Sequence, residues 1–99
     1  MHRSAAYLET ANGRKYLTQL CKHFAHKIEV SYSEGRGECH FPGSLGRLEA
    51  DESGLRMAVE ADDEDGLKRV QSIIEVHLIQ FSFREKLEGL DWLRLERAV

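Results

Sequence analysis

The strongest constraint on the fold is a change of apolar period along the chain. Tyr16, Leu17, Leu20, Cys21, Phe24 and Ile28 recur at helical spacing, which lines them along one face of an amphipathic helix. The pattern then shortens to alternation. Ile28, Val30 and Tyr32 are set against Glu29 and Ser31, Cys39 and Phe41 against His40, and Leu55, Met57 and Val59 against their neighbours. Alternation of this kind marks strands buried on one face. Helical spacing returns with Leu67, Val70, Ile73, Ile74, Leu78 and Phe81. Two helices therefore bracket a set of half-buried strands, and the economical packing places both helices on one face of an antiparallel sheet.

The flanking segments complete the order. SAAYLET (4–10) reads as a first strand, and Thr10 or Asn12 can cap a helix running to about Lys27. IEVSYS (28–33) and ECHF (38–41) flank EGRG (34–37), a glycine-rich turn that predicts a hairpin. The lone proline, Pro42, breaks or bulges the returning strand before RLEAD. DESG (51–54) turns into LRMAVEA (55–61), and DDEDG (62–66) opens the second helix. EGLD (88–91) ends that helix, and WLRLERA (92–98) reads as a last strand with Leu93 and Leu95 inward and Trp92 outward. The expected class is α+β, a two-layer sandwich with a sheet of four to six strands in the order β-α-β-β-β-α-β, built as a single domain over residues 1–99. Three strands between the helices would leave the helices parallel. A true break at Pro42 makes four strands and turns them antiparallel.

Composition excludes several functions. A net charge of −3 gives no electrostatic footprint for nucleic acid. No apolar run approaches the roughly 20 residues of a membrane helix, and MHRSAAYLETANGRK carries no apolar signal segment, so the expected location is cytoplasmic. Cys21 and Cys39 form no CxxC pair and read as two small buried thiols. DDEDG fails as a calcium loop, because the pattern requires an acid where Ala61 stands and a glutamate where Ser72 stands. Its carboxylates suit a helix start instead.

LCKHFAHK (20–27) poses the functional question. Lys22, His23, His26 and Lys27 crowd a helix end where cations are favoured. His77 lies on the apolar face of the second helix, and Arg84 continues its stripe seven residues later. Parallel helices would bring His77 to the same end as His23 and His26, with Tyr16 and Arg84 bordering one pocket. Three imidazoles can bind a transition metal such as Fe or Zn. No GxSxG, P-loop, GxGxxG or HxE…CxxC motif is present to point to an enzyme. Trp92 on an open sheet face would offer a homodimer surface.

LCKHFAHKIEV, FPGSLGRLEAD, GLRMAVEA and above all the HL-x2-F-x-FRE run, followed by Trp92, resemble the bacterial domain-of-unknown-function family numbered 2218. The resemblance covers nearly the whole chain. His23, His26 and His77 match histidine positions of that family. Similar domains occur beside or fused to flavin-containing siderophore-interacting ferric reductases. The resemblance thus implies a non-enzymatic accessory or binding module in iron or siderophore metabolism, with a siderophore reductase or another protein as partner. Its ligand would be held by His23, His26, His77, Arg84 and Tyr16, the three histidines taking any metal. Some members carry the label 2,4-dihydroxyhept-2-ene-1,7-dioic acid aldolase, which makes a metal-dependent lyase the enzymatic alternative. Aldolases of that kind resemble large barrels of roughly 250 residues, well beyond this chain.

Overall fold

A computed structural model describes residues 2–95. The elements are β1 (His2–Glu9), α1 (Gly13–Phe24), β2 (Glu29–Ser33), β3 (Arg36–Phe41), β4 (Ser44–Ala50), β5 (Gly54–Ala61), α2 (Glu64–Phe81), a short 3-10 turn (Phe83–Glu85) and β6 (Leu93–Arg94). Their strands form one six-stranded antiparallel sheet in the order β2-β3-β4-β5-β1-β6. Both helices cover one face, as the two periods require. Residues 96–98 of the expected last strand lie outside the described residues.

Pro42 decides the topology. It and Gly43 form a tight turn between Phe41 and Ser44, which pair across β3 and β4. Gly43 has φ 73°, which a type II turn requires at the position after proline and which glycine adopts without a Cβ clash. Four strands therefore separate the helices, one more than the sequence order counted, and the helices run antiparallel.

The core is built from the predicted stripes. Leu17, Leu20 and Cys21 of α1 and Leu67, Val70, Ile74 and Leu78 of α2 are buried against Cys39, Leu48, Leu55, Met57 and Val59 of the sheet. Cys21 and Cys39 are both free and buried, as expected. The hydrogen bond with Cys21, reinforced by burial, holds the Cys39 thiol above its ordinary range, so it stays protonated and unreactive. At the start of α2, Asp63 caps the helix by accepting the Gly66 N–H at 2.7 Å, with Glu64 and Asp65 in the first turn. The acidic run is thus a helix start.

The C-terminal segment reverses one expectation. Leu93 pairs with Ala5 and so shares the open sheet face with Arg3 and Tyr7. Leu93 is 69% exposed and Leu95 49% exposed. Trp92 instead packs on the helix side, its indole N–H donating to Glu75 Oε1 at 3.1 Å. The same oxygen accepts the Leu90 N–H at 3.0 Å. One half-buried carboxylate contact thereby sets the face on which the last strand's apolar residues fall. Elsewhere the open face carries ion pairs, with Arg47 between Glu38 and Glu60.

Candidate functional site

Antiparallel helices still bring His23 and His77 together. α2 has 18 residues and α1 has 12, so α1 lies along the C-terminal half of α2. Tyr16 meets Glu85 just beyond α2, and His23, two turns further along α1, meets His77, two turns further back. The histidine contact therefore rests on unequal helix lengths, and parallel helices are not needed.

The two imidazole centroids are 4.5 Å apart, with ring planes inclined by 44°. The Phe24 ring stands edge-on to His77 at 5.3 Å, and Phe81 lies 6.0 Å from His23. His77 is half-buried, and its Nδ1 lies 2.6 Å from the Ile73 carbonyl oxygen one turn earlier. A carbonyl only accepts, so Nδ1 carries the hydrogen, and in the neutral ring the lone pair is on Nε2. This is how a ligating histidine is oriented in a metal site. His23 is exposed, and its pKa is lowered first by partial burial and then by the charges of His77, His26 and Lys27. Beside the pair is a cavity of about 230 Å³ lined by His23, Phe24, Lys27, Ile28, Ile73 and His77. It combines two imidazoles, one ammonium and an aliphatic and aromatic wall.

The other expected members lie elsewhere. His26 follows α1 in the turn over residues 25–27, where helical spacing no longer applies, and its side chain is exposed. Among the described residues, no three His, Cys, Asp or Glu side chains gather to hold a metal ion. The expected three-histidine set is thus reduced to the pair His23 and His77.

Arg84 does not line the cavity, because α2 stops at Phe81. Ser82 turns its hydroxyl back onto the Leu78 carbonyl at 2.6 Å, and the 3-10 turn carries Arg84 off the stripe. Its guanidinium carbon lies 5.7 Å from the centre of the Phe83 ring. Tyr16 is buried but serves another cluster. Its hydroxyl donates to Glu85 Oε2, which also accepts from Thr10 Oγ1 at 2.9 Å and from Asn12 Nδ2 at 3.4 Å. These donors hold Glu85 below the usual carboxylate range, Tyr16 contributing most. Burial, then Glu85, push the Tyr16 phenol up. Glu85 is therefore bonded to Tyr16 at the corner before α1.

Sequence reasoning missed Lys27, Phe24 and Ile73 as site residues. Ile73 had a readable signal, one turn before His77 on the same stripe. Lys27 had none, since its placement depends on where α1 ends.

The fold and site together define a small two-layer α+β protein with a histidine-lined pocket where its two helices overlap. The chain belongs to the family described as "Uncharacterized protein conserved in bacteria (DUF2218)", whose profile matches residues 5–93. Among solved structures, it is similar to the protein in "NMR structure of PA4090 from Pseudomonas aeruginosa", at 33% identity and a TM-score of 0.80, over 94% of this chain and 96% of that one. No curated protein matches it.

Proposed function

We propose that this protein is a non-enzymatic, cytoplasmic binding module whose His23–His77 pocket takes a transition-metal ion, bare or carried by an anionic chelator. The observation that carries this reading is the pair of imidazoles 4.5 Å apart, with Nε2 of His77 left free by the bond from Nδ1 to Ile73. A metal–nitrogen bond of about 2.1 Å, plus about 1.1 Å to the ring centre, puts two cis imidazoles about 4.5–5.2 Å apart. The observed spacing falls within that range. Two histidines leave coordination positions for donors brought by the ligand, and the ammonium of Lys27 suits a carboxylate or catecholate arm. In iron handling, as the family resemblance implies, the cargo would be ferrous iron or an iron chelate passed to a reductase.

The lyase alternative has less support. Glu85 is engaged by Tyr16, Thr10 and Asn12 away from the cavity. A second reading, homodimerisation, is favoured by Tyr7, Leu93 and Leu95, which lie exposed on the open sheet face. Trp92 plays no part in it. Sedimentation at several concentrations tests that reading.

For the metal module, calorimetric titration with Zn²⁺ and Fe²⁺ is the test. The expected result is one ion per chain, with binding lost in His23→Ala and His77→Ala and kept in His40→Ala on the opposite sheet face. Equal binding by all four proteins would overturn the reading.

A further inference from the structure

The sheet ends differently at its two edges. β6 closes one edge with two residues, Leu93 and Arg94. β2 forms the other with five, Glu29–Ser33, and among the described residues no strand pairs with its outer side. A free strand edge is a template for another strand, and proteins blunt it with short strands, lysine, proline or a bulge. β6 is blunt by its length. β2 has none of these devices. EVSYS holds no lysine or proline, and its pairing with β3 runs without a bulge from Glu29↔His40 to Ser33↔Arg36.

The free backbone groups fix how a second strand would add. Ser33 and Arg36 close a two-residue loop, so they exchange ladder bonds. Alternation then turns the N–H and C=O groups of Glu29, Ser31 and Ser33 toward β3 and those of Val30 and Tyr32 outward. We propose that β2 pairs antiparallel with β2 of a second copy, about a two-fold axis through Ser31, and so joins two six-stranded sheets into one. In that register all five residues pair. Val30 faces Tyr32 of the second copy and Tyr32 faces its Val30, two cross-strand pairs of a β-branched and an aromatic side chain, a combination that favours a sheet. Tyr32 is 41% exposed in the single chain, so it has surface to bury there. Glu29 faces Ser33, so no acid opposes an acid. An isologous contact needs this kind of self-match, and the strand supplies it by its own sequence. The interface goes beyond the readings above. It needs no metal, and it lies at the sheet edge away from Tyr7, Leu93 and Leu95.

Sedimentation of the full chain over a wide range of concentrations is the test, with wild type, Ser31→Glu and Leu93→Asp compared. Ser31 is exposed, so its replacement leaves the fold in place and sets two carboxylates directly opposite each other on the axis. The expected result is a wild-type dimer that is lost in Ser31→Glu and kept in Leu93→Asp. Disulfide cross-linking reads the register. Opposed Ser31 positions would lie about 4.5 Å apart between Cα atoms, within disulfide reach. The two Ser33 positions would lie roughly 13 Å apart. Ser31→Cys should therefore give a covalent dimer under oxidised glutathione, and Ser33→Cys should not. A wild type that stays monomeric throughout overturns the proposal, as does equal cross-linking at the two positions. A dimer kept in Ser31→Glu and lost in Leu93→Asp overturns it in favour of the open sheet face.

Discussion

Replacing Tyr16 with Phe removes one hydroxyl and leaves the ring. Tyr16 is 4% exposed, so the phenyl group fills the same volume and no cavity opens. What is lost is a phenol–carboxylate hydrogen bond to Glu85, which joins the turn after α2 to the start of α1 across 69 residues of sequence. Bonds to charged groups contribute about 1.5–3 kcal/mol. Glu85 is exposed and keeps Thr10 and Asn12 as donors, so water replaces the lost partner and the low end applies. The expected destabilisation at pH 7 is about 1.5 kcal/mol, or roughly 6–12 °C in Tm for a domain of this size.

The pH dependence has a definite sign. The folded pKa of Glu85 is depressed, chiefly by Tyr16. Its contribution is therefore complete above the unfolded glutamate pKa of about 4.3 and is lost as pH falls through the lower folded value. Urea unfolding followed by Trp92 fluorescence checks this at pH 7 and again in strong acid. The gap between wild type and Tyr16→Phe should shrink in acid, because wild type loses more there. An unchanged midpoint at pH 7, or an equal gap at both pH values, would refute the reasoning.

A Cβ added at Gly37 would lie 2.6 Å from the Cys21 sulfur. Gly37→Ala should therefore cost about 1–3 kcal/mol by overpacking, and urea midpoints should show Cys21→Ala recovering part of that cost in the double variant. Trp92→Phe removes the donor to Glu75 Oε1 while Leu90 N–H remains. It should lower stability by about 1–2 kcal/mol, and exchange of the Leu90 amide should stay slow by NMR. His23 should titrate below the ordinary histidine value, and His77→Ala should raise it by removing a neighbouring positive charge. A downward or absent change in the His23 Hε1 titration would contradict the paired geometry.

Much of the fold was legible because period reports burial. LRMAVEA and the stripes of α1 and α2 have partners fixed by their own spacing. The strand count turned on Pro42–Gly43, a dipeptide that serves equally as a bulge or a hairpin turn until its pairing is known. The last strand misled because WLRL alternates with its apolar residues at Leu93 and Leu95, and a choice of face follows from one register. That register is set by Trp92 reaching Glu75, 17 residues earlier, which no local pattern encodes. Arg84 was misplaced for a related reason. The stripe runs on through it in sequence, but the Ser82 hydroxyl on the Leu78 carbonyl ends the helix first.

In the site, His77 was legible from an imidazole on an apolar stripe and His23 from its flank position. Their contact depends on helix lengths and overlap, set by the ends of α1 and α2.

The pairing of His23 with His77 around one ligand is the central claim, and imidazole NMR during a Zn²⁺ titration tests it most directly. The Hε1 resonances of His23 and His77 should move on a single saturable curve, with His40 on the opposite sheet face and His2 beside Glu64 at the far end of α2 unmoved. Weak, unsaturated drift shared by all five histidines would contradict the account.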